Sequence, residues 1–275
     1  MATLKEARED LTARHILSFS GGKDSTALAF HLLNAYPEIA EHLEVVFCDT
    51  GTELPETYDY IRRFEAITGL EVRRIDALEF NAHSVDNKRN RNAFDHTLKQ
   101  IYGDFLPRPS MRWCTRELKI KPFEAYVGSD RAYSYIGIRV EENREGYKQR
   151  TTPRDSNGKP VVISEKSNII PVYPFKEDGL DLHDVKMLLD DSGLGLPPYY
   201  SWRSRSGCYF CFYQQIGEWQ RLKENHPDLF EKAKAYESPG NTWVQGRSLE
   251  DIEKLKTRYE IPDGEDLDGC AICHI

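Results

Sequence analysis

Residues 15–26, His-Ile-Leu-Ser-Phe-Ser-Gly-Gly-Lys-Asp-Ser-Thr, decide how this chain is read. His15 to Phe19 is a short run that reads as a buried strand, and Ser25 to Leu33 (STALAFHLL) reads as a helix. Between them, two adjacent glycines let the backbone turn tightly, with no Cβ to keep an anion away from successive N–H groups. The following helix points its positive end at the same spot. Lys23 adds a point charge, and the hydroxyls of Ser20, Ser25 and Thr26 can donate to phosphate oxygens or help place Mg²⁺. The loop is not a Walker A motif, because Leu17 stands where that motif requires its first glycine.

Outward from the loop, strand-like and helix-like signals alternate, as in a parallel α/β sheet. Leu43 to Cys48 reads as a second strand, followed by the turn-rich DTGTELP, and a helix spans about 56–68, with Gly69 as its stop. Strands are expected at 70–75 and 132–138, with a helix at 115–126 between them. Residues 80–113 interrupt the rhythm as a basic insertion, and 141–168 read as a long charged loop. A helix at 182–189 precedes Gly193; later helices cover 218–224, a segment opened by Pro227, and one capped by Ser248. The expected fold is α/β, a doubly wound parallel sheet over residues 1–200. A small Cys-bearing helical lobe follows over 201–275.

The chain has 275 residues, with 37 Lys+Arg against 45 Asp+Glu and a net charge of −8. That balance gives no general attraction to nucleic acid, so such a partner needs a local basic patch. Residues 80–113 offer one: Lys88, Arg89, Arg91, Lys99, Arg108 and Arg112, interleaved with Phe94, Tyr102, Phe105 and Trp113, could grip a phosphate backbone and stack on bases. A solvated charged loop is the competing reading. No stretch approaches the ~20 apolar residues that span a bilayer, and the amino-terminal residues lack an apolar signal core, so a cytoplasmic protein is expected. Of the six cysteines, Cys208–Cys211 and Cys270–Cys273 form two C-x-x-C pairs, a spacing that points to metal before disulfides. Cys48 falls inside a strand and reads as a buried small hydrophobe.

The SGGKDS loop is joined, in order, by FCDTGTELPETYDYI (47–61), RWCTRELKIKP (112–122), GIRVEENR (137–144), IIPVYPF (169–175), DLHDVKMLL (181–189) and GCYFC (207–211). With these motifs the chain resembles the phosphoadenosine-phosphosulfate (PAPS) reductase family of the adenine-nucleotide α-hydrolase, or N-type ATP pyrophosphatase, superfamily. It is closer there to the DNA-phosphorothioation-type ATP pyrophosphatases than to true sulfonucleotide reductases, which tend to lose the Lys-Asp-Ser part of the loop. The resemblance implies a Rossmann-like sheet with an adenine nucleotide across the carboxyl ends of its strands. The implied nucleotide site comprises Ser18, Ser20, Gly21, Gly22, Lys23, Asp24, Ser25, Thr26, Asp49, Thr50, Gly51, Gly137, Arg139 and Arg144. Lys23, Asp24, Asp49 and Arg139 would carry catalysis. An Asx turn at Asp49 and a solvated loop at Arg144 are the plainer readings.

For the cysteines the resemblance implies a [4Fe–4S] cluster. One branch of the family uses an adjacent Cys pair at the RWCT position plus a later C-x-x-C. Here Trp113-Cys114 stands in place of that pair. Cys114, Cys208 and Cys211 would therefore need a fourth ligand, Cys273 or alternatively Cys270. A zinc knuckle of Cys208, Cys211, Cys270 and Cys273 competes, as does a redox dithiol. The implied activity is Mg²⁺-dependent release of pyrophosphate from ATP, adenylating an acceptor for sulfur transfer. A nucleic-acid acceptor and a sulfur-donor protein are the partners it suggests. A sulfonucleotide reductase and a non-catalytic nucleotide-binding subunit are the alternatives.

Overall fold

The computed structural model describes residues 2–80, 92–142, 151–154, 160–162 and 168–260. Helix α1 (Leu4–Glu9) is capped by Thr3, whose hydroxyl and backbone exchange bonds with Glu6. Strand β1 (Arg14–Phe19) leads into α2 (Lys23–Ala35) and the short α3 (Pro37–Ala40). Then come β2 (Leu43–Cys48), α4 (Pro55–Thr68), β3 (Val72–Ile75) and α5 (Ala93–Gln100). Pro55 opens α4 and Gly69, at φ +71°, closes it. Next, α6 (Trp113–Thr115), a π-helical turn (Arg116–Ile120) and α7 (Lys121–Val127) run on as one helical stretch. Strands β4 (Ala132–Tyr135), β5 (Thr151–Arg154), β6 (Pro160–Val162) and β7 (Ile169–Val172) are followed by α8 (Pro174–Asp178) and α9 (Leu182–Asp191). A 3₁₀ turn (Pro198–Ser201), α10 (Ile216–Asn225), α11 (Pro227–Ala235) and α12 (Leu249–Glu253) complete the described elements.

Five strands form one all-parallel sheet in the order β3-β2-β1-β4-β7. Helices cover it, as the near-continuous apolar runs of β1 and β2 require for strands buried on both faces. The chain moves outward from β1 to β2 and β3, then returns to the other side of β1 with β4. The switch point therefore falls between β1 and β4, where a ligand crevice opens beyond the strands' carboxyl ends in folds of this kind. No described helix is long and apolar enough to cross a membrane.

Two departures from the sequence reading stand out. The stretch 141–168 is not all loop: β5 and β6 pair antiparallel within it. The insertion 80–113 contains α5, whose Ala93, Phe94, Thr97 and Leu98 are buried. Phe94 and Trp113 join Tyr199, Phe210, Trp219 and Trp243 in a second core shared with the carboxyl-terminal lobe. Phe94 stacks on Trp113 at 5.2 Å between centroids, and Tyr102 covers Trp113 at 4.7 Å. Phe94 and Trp113, 1% and 3% exposed, are thus spent on packing, whereas Tyr102 and Phe105 are half-buried.

Candidate functional site

The carboxyl end of β1 turns at Gly21, whose φ of +66° favours glycine, and Gly22 is the N-cap of α2, with no side-chain cap on the helix N-terminus. The serines organise the turn. Ser25 Oγ accepts the Ser20 N–H at 3.1 Å and lies 3.0 Å from Ser20 Oγ, which in turn accepts the Gly22 N–H at 3.3 Å. Thr26 Oγ1 donates back to the Gly22 carbonyl at 2.8 Å. Ser18 points elsewhere: it is fully buried and bonds Ser134 Oγ at 3.0 Å, fastening β1 to β4 within the sheet.

Asp24 is the electrostatic centre of the loop. Its side chain is 3% exposed and pairs through one oxygen with Lys23 Nζ at 3.2 Å and through the other with Arg139 Nη1 at 2.6 Å. Arg139, equally buried, also meets Glu141 at 2.6 Å and Glu142 at 3.3 Å. A guanidinium held by three carboxylates is a fixed cation at the end of β4. Burial opposes the charge on both cations. On Lys23, Tyr200 and Asp24 outweigh burial; on Arg139, Asp24 and Glu141 do. Both pKa values consequently lie above their ordinary ones. Gly137 permits the contact, since a Cβ there would stand 3.0 Å from the Asp24 carbonyl oxygen.

The β2 end is shaped by a different carboxylate. Asp49 Oδ1 accepts the Gly51 N–H and the Tyr58 hydroxyl, both at 2.8 Å, which makes an Asx turn. Thr50 and Thr52 wrap Glu53, a buried side chain that accepts both of their N–H groups and the Thr50 hydroxyl. Burial, reinforced by Asp49, pushes the Glu53 carboxyl above the usual range. Glu53 also pairs by a backbone bridge with Cys208. The sequence reading missed Glu53; its only outward signal is a carboxylate two residues before the Pro that opens α4.

Thr50, Cys114, Lys119, Cys208, Cys211 and Phe94 line one apolar cavity beside this turn. Three of the expected metal ligands thus line one cavity without converging on a point. Cys208 Sγ lies 3.4 Å from Thr50 Oγ1, and burial, with Glu53 adding to it and Lys119 opposing, pushes the thiol up to about 11. Arg203, 2% exposed, donates to the carbonyls of Gly207 and Cys208 and holds the C-x-x-C turn in place. Among the described residues, no group of three or more His, Cys, Asp or Glu side chains converges tightly enough to hold a metal ion. Cys270, Cys273, Arg144, Lys88, Arg89 and Arg91 lie outside the described residues. Cys48 is buried at the end of β2 and donates to the Lys119 carbonyl at 3.6 Å.

The segment at Tyr199 and Tyr200 reaches the phosphate loop directly. Tyr199 donates its hydroxyl to the Gly21 carbonyl at 2.9 Å. The Lys23 N–H points to the Tyr200 hydroxyl at 3.4 Å, and Lys23 Nζ lies 5.1 Å from the Tyr200 ring centroid. None of these contacts follows from a motif, because the two segments are 177 residues or more apart.

Residues 14–224 match the model of the phosphoadenosine phosphosulfate reductase domain family. Two uncharacterized proteins of Methanocaldococcus jannaschii are similar, one 25% identical over 83% of this chain and the other 29% identical over 78% of it. The chain spans 42% and 45% of their lengths. Among solved structures, the phosphate complex of a PAPS reductase from Candida auris aligns at TM-score 0.44 and 16% identity, covering 71% of this chain and 80% of that one. The U34-tRNA thiolase NcsA from Methanococcus maripaludis, solved with its [4Fe–4S] cluster, aligns at 0.42 and 15%, covering 98% and 86%. Likeness at that level decides neither substrate nor cofactor.

Proposed function

Because the chain belongs to the phosphoadenosine phosphosulfate reductase domain family, we propose that it is an enzyme that binds ATP at the 20–26 loop and releases pyrophosphate while adenylating an acceptor. The carrying observation is the buried Lys23–Asp24–Arg139 array beneath an uncapped helix N-terminus. It fixes the Lys23 ammonium beside the backbone donors where the β and γ phosphates would lie. An acceptor oxygen would attack the α-phosphorus as the bond to the bridging oxygen of the β-phosphate breaks, and pyrophosphate would leave with that oxygen. The loop's part is to hold and neutralise the leaving group, and Mg²⁺, if bound beside the Ser20, Ser25 and Asp49 side chains, would add positive charge to that task. Arg139 acts in this reading mainly by fixing Asp24, since its own donors are already engaged with carboxylates.

Sulfide-level sulfur from a donor protein would then attack the acceptor atom that carries the adenylate, AMP leaving with the original acceptor oxygen, with a nucleic acid as the acceptor class. Thiolate is the ligand type of iron–sulfur and structural zinc sites, and that chemistry supports a metal group at this cavity. Cys114, Cys208 and Cys211 line one wall, and Cys273 or Cys270 would complete the set. A [4Fe–4S] cluster held there would supply a binding point for the incoming sulfur, whereas zinc would serve to fasten the lobe.

The test is pyrophosphate release from ATP in the presence of candidate nucleic acids. Lys23→Ala is expected to lower the rate by ~10²–10³, the usual loss when one preorganised charge is removed. Sulfite release from a sulfonucleotide, without pyrophosphate release from ATP, would replace this reading with a reductase. Nucleotide binding with neither product would indicate a non-catalytic subunit.

A further inference from the structure

Ser206 lies between the two regions, and neither the loop motif nor the cysteine motif includes it. It is 7% exposed, and among the described residues its hydroxyl has no hydrogen-bond partner. It faces the phosphate loop at its tightest point, since a Cβ built on Gly22 would lie 2.5 Å from Ser206 Oγ and 2.8 Å from its Cβ. The same construction places Ser20 Oγ at 3.2 Å. Its Oγ is not one of the sealed, unpaired polar atoms, so it stays open to the loop and free to donate to a ligand there. Gly22 has an ordinary extended backbone, φ −96° and ψ 170°, so its lack of a side chain serves this approach and not a turn.

We infer that Ser206 is a phosphate-binding residue supplied by the carboxyl-terminal lobe, donating its hydroxyl to the anion in the 20–26 loop. This rests on the loop holding an anion, as the proposed function requires. The site then has two walls. The loop provides backbone N–H groups, Lys23 and the serine hydroxyls. The 199–206 segment provides Ser206 and the Tyr200 hydroxyl, with Tyr199 pinning the loop from beneath. The anion would be enclosed by residues from both ends of the chain, and the lobe would take part in substrate binding.

The probe is inorganic pyrophosphate with Mg²⁺, titrated calorimetrically into the full chain. Ser206→Ala is expected to weaken binding roughly ten- to hundredfold, the range for one hydrogen bond to a charged group. Ser206→Thr, which keeps the hydroxyl, should recover most of it, and an unchanged melting temperature would show that Ser206→Ala leaves the fold intact. Unaltered or tighter pyrophosphate binding by Ser206→Ala overturns the inference, the latter because it would make Ser206 a plug. Absence of pyrophosphate binding by the unaltered chain overturns it too. A chain that binds pyrophosphate through Ser206 yet releases none from ATP would refute the adenylation reading alone.

Discussion

Seven consecutive residues, Ser20 to Thr26, make the phosphate loop, whereas the thiol cavity draws Thr50, Cys114, Lys119 and Cys208 from positions as much as 158 residues apart. The loop is bonded within itself, and its one carboxylate, Asp24, is shared by Lys23 and Arg139. The cavity is mostly apolar, and its polar wall is governed by one carboxylate, Glu53, whose burial disfavours charge. An anion site needs donors and fixed positive charge, which a strand–loop–helix unit provides locally. A thiolate-metal site needs several sulfurs at one point, which only tertiary structure can gather. One site is therefore written into a heptapeptide and the other into the packing of the lobe.

The largest expected loss tests whether the loop's charge array is structural as well as functional. Asp24→Ala would leave Lys23, half-buried, and Arg139, fully buried, without the carboxylate they share. Breaking a buried ion pair by removing one partner costs ~3–5 kcal/mol, and Glu141 and Glu142 keep this case at ~3 kcal/mol. Urea denaturation followed by fluorescence would measure it. A change below ~1 kcal/mol would mean that the array is dispensable to the fold and serves binding alone.

How much of each region could be read in advance follows the same division. The loop, the strand–helix alternation around it and the parallel sheet rest on short-range patterns, and the five-stranded sheet places them as expected. The β5–β6 hairpin was hidden because Thr-Thr-Pro-Arg carries a proline and a charge, which demote a strand reading. Helix α5 had a signal, the buried spacing 93, 94, 97, 98, but surrounding basic residues suggested a surface. Arg139 could be recognised as a strand-end arginine. That Asp24, Glu141 and Glu142 would occupy its donors could not, since Asp24 is 115 residues away. Tyr199 and Ser206 belong to the same class: ordinary residues set against loop glycines 178 residues or more away in the chain.

A smaller effect separates the strand beneath the loop from the loop itself. His15, at the opposite end of β1, is fully buried, with Nδ1 2.6 Å from the Tyr135 hydroxyl and Nε2 3.2 Å from the Asp10 carbonyl. Burial lowers its pKa; the Asp10 carbonyl and carboxylate oppose this and His42 adds to it, while Tyr133 and Tyr135 pack on the ring. A depressed folded-state pKa means stability that is present above the unfolded value of about 6.5 and is lost as pH falls through the folded one. His15 contributes at most ~1.4 kcal/mol per pH unit. His15→Gln should therefore flatten the decline in stability between pH 6.5 and 5, measured by urea titration at each pH. Equal slopes in the two proteins would assign the acid sensitivity to other groups.

The smallest effect expected on the loop comes from emptying the cavity of its paired sulfurs. Replacing Cys208 and Cys211 together with serine removes two of the three thiols that line it. Hydroxyls bind iron and zinc far less well than thiolates do. Arg203 would still hold the turn through the Gly207 and Cys208 carbonyls, because those bonds are to backbone. Ser206 should accordingly stay against Gly22, and pyrophosphate affinity should change less than threefold, or about 0.6 kcal/mol. Absorbance near 400 nm and bound metal in the anaerobically purified protein should disappear together. Should pyrophosphate affinity fall with the metal by tenfold or more, the two sites are not separable, because the state of the sulfurs would then set where the 199–206 segment sits on the loop.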